Sequence, residues 1–236
     1  MRRAGRATAI VLQKLANSIR PGMKTRELDD IANEEAKKLG GRPSFKGYQG
    51  FPASLCVSIN NEIVHGIPGE RVICEGDIVS LDFGLELDGF QGDTAVTVGV
   101  GEMDSDALRL IEVTKNALQA GIDVALPGNR IGDISAAVQE YAESRGYGVV
   151  REYTGHGIGR DMHEDPQIPN FGRAGTGLQL KKGMTIAIEP MLTTGNWLTK
   201  VGSDRWVVYT ADSSMAAHFE HTIAIKDGGA EILTAV

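Results

Sequence analysis

Cysteine is nearly missing from this chain: 236 residues carry two, Cys56 and Cys74, with no C-x-x-C pair. That excludes a disulfide scaffold and a cysteine-rich metal site, and it fits a reducing compartment. Histidine is scarce, with five residues, and aromatics make up 6%. Long apolar runs are absent too. The run Ala9-Ile10-Val11-Leu12 is broken by Gln13 and Lys14, too short for a signal-peptide core. Nothing approaches the roughly 18 apolar residues of a membrane span. Positive charge is not in excess: 24 Lys and Arg face 31 Asp and Glu, a formal net charge of −7. Nucleic acid is therefore not the expected ligand, and Arg2, Arg3 and Arg6 read as a solvated helix start. The chain also lacks the G-x-S-x-G, H-E-x-x-H and G-x-x-x-x-G-K-[ST] patterns. Asp82-Phe83-Gly84 copies the kinase D-F-G, but no H-R-D precedes it. What these absences leave is a soluble, cytoplasmic protein, whose 42% hydrophobic content supports a sizeable core.

What is present is a pair of acid-terminated strands. Gly76-Asp77-Ile78-Val79-Ser80-Leu81-Asp82 and Gly183-Met184-Thr185-Ile186-Ala187-Ile188-Glu189 each run from glycine through apolar residues to one carboxylate. A carboxylate closing an apolar strand is costly unless something positive meets it. The pair belongs to a wider repeat. Pro21-Gly22 and Pro127-Gly128 stand 106 residues apart, and at that offset Glu34 meets Glu140, Ala36 meets Ala142 and Gly40 meets Gly146. Asp82 meets Glu189 at 107.

Each half opens with two helices. Leu12, Leu15 and Ile19 form an apolar stripe that Pro21-Gly22 ends. Thr25 is the expected N-cap of the next helix, with Leu28 and Ile31 buried and Gly40-Gly41 as its stop. The second half repeats this with helices near 104–121 and 131–145. Strands are expected at 77–87 and 90–99 around an Asp88-Gly89 hairpin turn, and at 185–190 and 218–226. The fold class is α+β, with helices outside antiparallel strands and a pseudo-twofold between halves of about 1–100 and 104–236, forming one domain.

The hairpin places Asp93 opposite Gly84, with Asp82 one diagonal step away on the same face, about 7–8 Å. Gly84 leaves room between them. Duplication aligns Asp82 with Glu189 and Asp93 with Glu220. Four facing acids repel strongly unless cations intervene, and neutral His156 in Gly155-His156-Gly157-Ile158-Gly159 is a natural further ligand. This oxygen-rich set suits Mn(II), Fe(II), Co(II) or Zn(II). Gly155–Gly159 lacks the spacing of a phosphate loop. His221, next to Glu220, points to the other strand face; it and His218 read as structural.

The motifs VHGIP (64–68), LDFG (81–84), GDT (92–94), GHGIG (155–159) with MHEDP (162–166), IEPM (188–191) and FEHTI (219–223) stand in order over nearly the whole chain. Together they resemble the short, bacterial-type methionine aminopeptidases. The resemblance implies a pita-bread fold, two divalent metal ions and removal of initiator methionine from nascent polypeptides with a small second residue. Asp82, Asp93, His156, Glu189 and Glu220 match the ligands: Asp93 and Glu220 bridging, Asp82 chelating one ion, His156 and Glu189 completing the other. Glu189 also matches the general base, and His65 and His163 match two substrate-contacting catalytic histidines. Phe45, Tyr48, Phe51, Cys56, Met162 and Trp206 match the methionine pocket, where a thioether packs well on aromatic rings. The implied partners are nascent-chain N-termini and, transiently, the ribosome; no nucleic acid or membrane is expected, and the chain is expected to be monomeric.

Departures accompany the match. Gly84 stands where several relatives have threonine, and Phe45 and Met162 differ from the bulk expected there. The chain opens at Met1-Arg2-Arg3, where relatives usually carry some preceding residues. Two other readings are a prolidase or proline aminopeptidase, which usually carries a large N-terminal domain, and a binding relative that has lost catalysis, which would also have lost ligands.

Overall fold

The computed structural model describes residues 1–236. Its helices are α1 (Arg2–Ser18), α2 (Thr25–Lys38), α3 (Ser105–Asp123) and α4 (Ile131–Glu143), all close to the expected spans. No helix is long and apolar enough to cross a membrane.

The cap of α2 differs from expectation. Lys24 is the N-cap, and the Glu27 carboxylate accepts its N–H at 2.8 Å. Thr25 is already helical, and its hydroxyl accepts the Gly69 N–H at 2.8 Å. A tertiary partner has claimed the side chain that local propensity assigned to capping. Helix α4 begins the same way, with the Arg130 N–H donating to Asp133 at 2.7 Å.

These caps belong to a backbone pattern written twice. The Gly22 N–H donates to the Ile73 carbonyl and the Ile73 N–H returns to Met23, as the Gly128 N–H donates to Leu180 and the Leu180 N–H returns to Asn129; Thr25 N–H meets Arg71 C=O, and Ile131 N–H meets Leu178 C=O. Gly76 and Gly183, which precede the segments leading to Asp82 and Glu189, both adopt positive φ, 82° and 92°.

Nine strands form the main sheet. Ile78–Leu87 pairs with Phe90–Gly99 through a turn at Asp88-Gly89, both at positive φ, as the I′ turn chemistry requires. Gly84 faces Asp93 and Asp82 faces Ala95, the expected register. Cys56–Ile59 and Arg42–Pro43 share the outer edge of Ile78–Leu87. Phe90–Gly99 pairs with Glu220–Lys226 at two positions only, Ala95 with Glu220 and Thr94 with His221. Beyond it come Thr185–Ile188, Gly155–Gly157 and Glu164–Ile168.

Two expected strands are interrupted at the acids they carry. Thr185–Ile188 ends before Glu189, with Pro190 before the next strand, Met191–Thr193, because proline cannot donate to a ladder. The 218–226 strand breaks at Phe219, whose N–H turns to the Pro190 carbonyl.

The helices cover one face of the sheet. Leu15, Leu28, Leu55, Leu81 and Phe83 are fully buried between α1, α2 and the first strands. Ile134, Ile186, Ile188 and Ile223 do the same in the second half. Each such side chain contributes about 1.5–3 kcal/mol of burial.

Removing either cap carboxylate should destabilise the protein. Glu27→Ala is expected to cost about 0.5–1 kcal/mol and Asp133→Ala about 1–2 kcal/mol in urea denaturation. Asp133 is the costlier because it also accepts the Gly175 N–H. Equal, negligible effects would refute the capping role.

Candidate metal centre and cleft

Strand alternation brings the acids together. Asp93 and Glu220 lie on neighbouring strands and, with His156, form a buried group whose ligand atoms all fall within 4.8 Å of one another. Glu189 flanks them, its Oε1 3.6 Å from His156 Nε2, and Asp93 Oδ2 is 3.9 Å from the same nitrogen. Asp82 completes the floor; it and Glu189 keep part of their surface open to the cleft.

The backbone around each ligand is held. Thr222 Oγ1 accepts the Asp93 N–H and donates to the Asp93 carbonyl, while Thr94 donates to the Glu220 carbonyl. Gly157 allows its strand to approach closely, since a Cβ there would run into the Asp165 carbonyl. His156 Nδ1 lies 2.8 Å from the Gly157 carbonyl. A carbonyl only accepts, so Nδ1 carries the proton and the Nε2 lone pair faces Asp93 and Glu189.

Burial pushes the Asp82 carboxyl up to about 7. Burial, then the neighbouring acids, also raises Asp93, Glu189 and Glu220 well above the usual carboxylate range. Burial also lowers His156 to about 4, so its imidazole is neutral at pH 7. One oxygen on each of Asp82, Asp93 and Glu220 is buried with no hydrogen-bond partner. Orphaned carboxylate oxygens around a free imidazole lone pair fit divalent cations, which supply the missing positive partners.

Above this floor lies a cleft of about 300 Å³. Phe45, Tyr48, Phe51, Cys56 and Trp206 line it, together with His65, His163 and all five candidate ligands. Phe51 and Trp206 meet edge to face at 5.1 Å. Burial raises the Cys56 thiol well above its usual range, so it contributes as a neutral apolar wall. His65 is lowered to about 4 by burial, then by His163; His163 is also lowered by burial. A larger cavity of about 460 Å³ between α1 and α3, on the sheet's reverse, contains none of the candidate residues.

Met162 does not line the cleft. It is buried, and its methyl group, with the Phe45 ring, fills the space a side chain at Gly84 would need. The room expected beside Gly84 is thus occupied, and the three unusual residues at 45, 84 and 162 are one packing arrangement.

Two residues of the site were not anticipated. Gln49, at φ 49°, lines the cleft; nothing in its sequence neighbourhood marks it. His218 is fully buried, with Nε2 3.9 Å from Glu189 Oε2 and neither ring nitrogen hydrogen-bonded. Its signal was legible: it shares strand parity with Glu220.

Residues 1–227 match the family model of metallopeptidase family M24, and the chain belongs to that family. The methionine aminopeptidase of Clostridium acetobutylicum is 52% identical over 99% of this chain and 94% of its own length. Methionine aminopeptidase 1 of Bacillus subtilis is 51% identical over 100% and 95%. The crystal structure of methionine aminopeptidase from Thermotoga maritima superposes with a TM-score of 0.99 at 48% identity, covering 100% of this chain and 95% of that one. The prolidase of Pyrococcus furiosus shares the fold, with a TM-score of 0.81 at 22% identity and 62% of its chain covered. The curled antiparallel sheet backed by four helices is the pita-bread fold.

The acid cluster sets a pH dependence. Carboxyls raised in the folded state hold protons that the unfolded chain releases near pH 4. The metal-free protein therefore loses this part of its stability as pH rises above about 4, the Asp82 share being lost through about 7. Mn(II) at about 100-fold excess over its Kd should raise Tm at pH 8 by roughly 5–10 °C, and by less at pH 5. Glu220→Gln should raise the Tm of metal-free protein at pH 8 but not at pH 5. A metal-induced shift independent of pH would contradict the clustering of ionised acids.

Proposed function

We infer that this chain is a metal-dependent aminopeptidase that hydrolyses the N-terminal methionine from polypeptides whose second residue is small. One observation carries the reading: a buried floor of four carboxylates and one histidine under an apolar cleft. The full-length similarity to curated methionine aminopeptidases supports it.

Asp82, Asp93, His156, Glu189 and Glu220 are the residues that would hold two divalent ions, Mn(II), Fe(II), Co(II) or Zn(II). Ions bound there would supply Lewis acidity to the scissile carbonyl and lower the pKa of water. Glu189, its side chain 15% exposed beside His156, takes the proton from the attacking water and returns it to the leaving amine. His163 donates a hydrogen bond to the developing oxyanion, and His65 meets the scissile amide. The acidic floor receives the free α-amine, which confines cleavage to chain starts. Phe45, Tyr48, Phe51, Cys56 and Trp206 bind the methionine side chain, with Met162 setting the packing behind Phe45.

We place residues 1–236 in one catalytic domain, with halves of about 1–100 and 104–236, acting as a monomer in the cytoplasm on nascent-chain N-termini, with transient ribosome contact.

Metal-reconstituted protein should release methionine from Met-Ala-Ser and not from Met-Leu-Ser, measured by amino-acid analysis. Glu189→Ala should lower kcat/KM by about 10²–10⁴-fold. Equal rates on the two tripeptides would overturn the pocket assignment; unchanged turnover in the variant would overturn the metallohydrolase reading.

A further inference from the structure

The two cleft histidines share a short pattern, each standing three residues before a proline. Val64-His65 and Met162-His163 stand 98 residues apart, and Pro68 and Pro166 keep the same offset. Their surroundings differ. His65, at φ 62°, meets Tyr153 and Trp206 edge-on at centroid distances of 5.6 and 6.5 Å, and its ring makes no hydrogen bond. His163 leans on the His156 ring at 4.2 Å, and its Nδ1 lies 2.8 Å from the Tyr48 hydroxyl. Its Nε2 has no protein partner.

Tyr48 is held for this contact. It opens a single helical turn, Tyr48–Gly50, entered from Gly47 at φ 84°. Its N–H donates to the Phe45 carbonyl, and its own carbonyl accepts the Phe51 N–H. The hydroxyl has His163 as its single partner.

Which atom carries the proton follows from the chemistry of the pair. A phenol is a good donor, and its oxygen is a weak acceptor because one lone pair is delocalised into the ring. An unprotonated imidazole nitrogen is a strong acceptor. The favoured arrangement is O–H···Nδ1, which leaves the proton of the neutral ring on Nε2. His156 shows the opposite state, with its proton on Nδ1 bound to the Gly157 carbonyl.

We propose that Tyr48 is a positioning residue whose hydroxyl holds His163 as the Nε2–H tautomer, fixing it as a hydrogen-bond donor toward the cleft, while His65, with no hydrogen-bond partner, has no such fixed tautomer. The link to turnover rests on the aminopeptidase reading above; the tautomer assignment does not. Beyond lining the pocket, Tyr48 thereby sets the role of its neighbour.

The test is long-range ¹H–¹⁵N correlation NMR of metal-free and Zn(II)-loaded protein, with His163 assigned by its loss in His163→Gln. In the wild type, His163 should show an unprotonated Nδ1 shift and a protonated Nε2 shift. Tyr48→Phe, which keeps the ring, should move both toward averaged values. On Met-Ala-Ser it should lower kcat by about 10–100-fold with KM little changed, less than loss of an oxyanion donor outright. Tyr48→Phe in the His163→Gln background should then add almost nothing. A protonated Nδ1 in the wild type, a tautomer unmoved by Tyr48→Phe, or a full additional loss in the double variant would overturn the proposal. A wild type that releases no methionine but keeps the Nε2–H state would sink the aminopeptidase reading and leave the tautomer assignment standing.

Discussion

Four carboxylates that repel one another at the centre of the sheet are the constraint around which this protein is organised. Asp82 raises the cost of ionising Asp93, Glu189 and Glu220, Asp93 adds to that of Glu189 and Glu220, and Glu189 to that of Glu220, and one oxygen on three of the four has no protein partner. No arrangement of the chain alone relieves that cost at neutral pH, because the neighbouring histidine is itself kept neutral by burial. The scaffold meets the strain by fixing backbone rather than by neutralising charge. Thr222 grips Asp93 front and back, Thr94 holds the Glu220 carbonyl, and the glycines around His156 let strands close in without side-chain collision. Such a site is unfavourable empty and favourable loaded, which is how binding energy for a cation is built in.

Duplication supplies the geometry. Paired backbone bonds around Gly22 and Gly128, matching caps on α2 and α4, and glycines at positive φ before each acid-terminated strand set both halves to one plan. Within it, symmetry has been spent unevenly. Asp82 sits within a continuous ten-residue strand, whereas Glu189 sits at a proline break. His163 has a phenol partner and His65 has none.

Much of this could be read from residue order alone. The Asp88-Gly89 turn determined the hairpin register, and with it the shared face of Asp82 and Asp93. Pro-Gly starts and Gly stops bounded the helices. The failures have specific causes. Thr25 was read as a cap because local propensity favours it, but the Gly69 N–H, 44 residues away, had claimed its hydroxyl. The break at Phe219 depends on a carbonyl in another strand. Met162 was read as pocket lining; only packing reveals that it and Phe45 fill the volume left by Gly84. The alternation that turns His221 to the far face puts His218 on the same face as Glu220.

The seam between the halves has a consequence for how chains of this plan can vary in length. Phe90–Gly99 meets Glu220–Lys226 at only two residue pairs, and those pairs adjoin both central acids. One residue inserted into either strand would invert its faces and turn a carboxylate to the reverse of the sheet. Insertions are therefore tolerable only outside this pair of strands, in exposed connections such as 172–179 and 203–205. Divergence by length should collect at the rim of the cleft, where it alters which peptides can enter, and leave the floor unchanged.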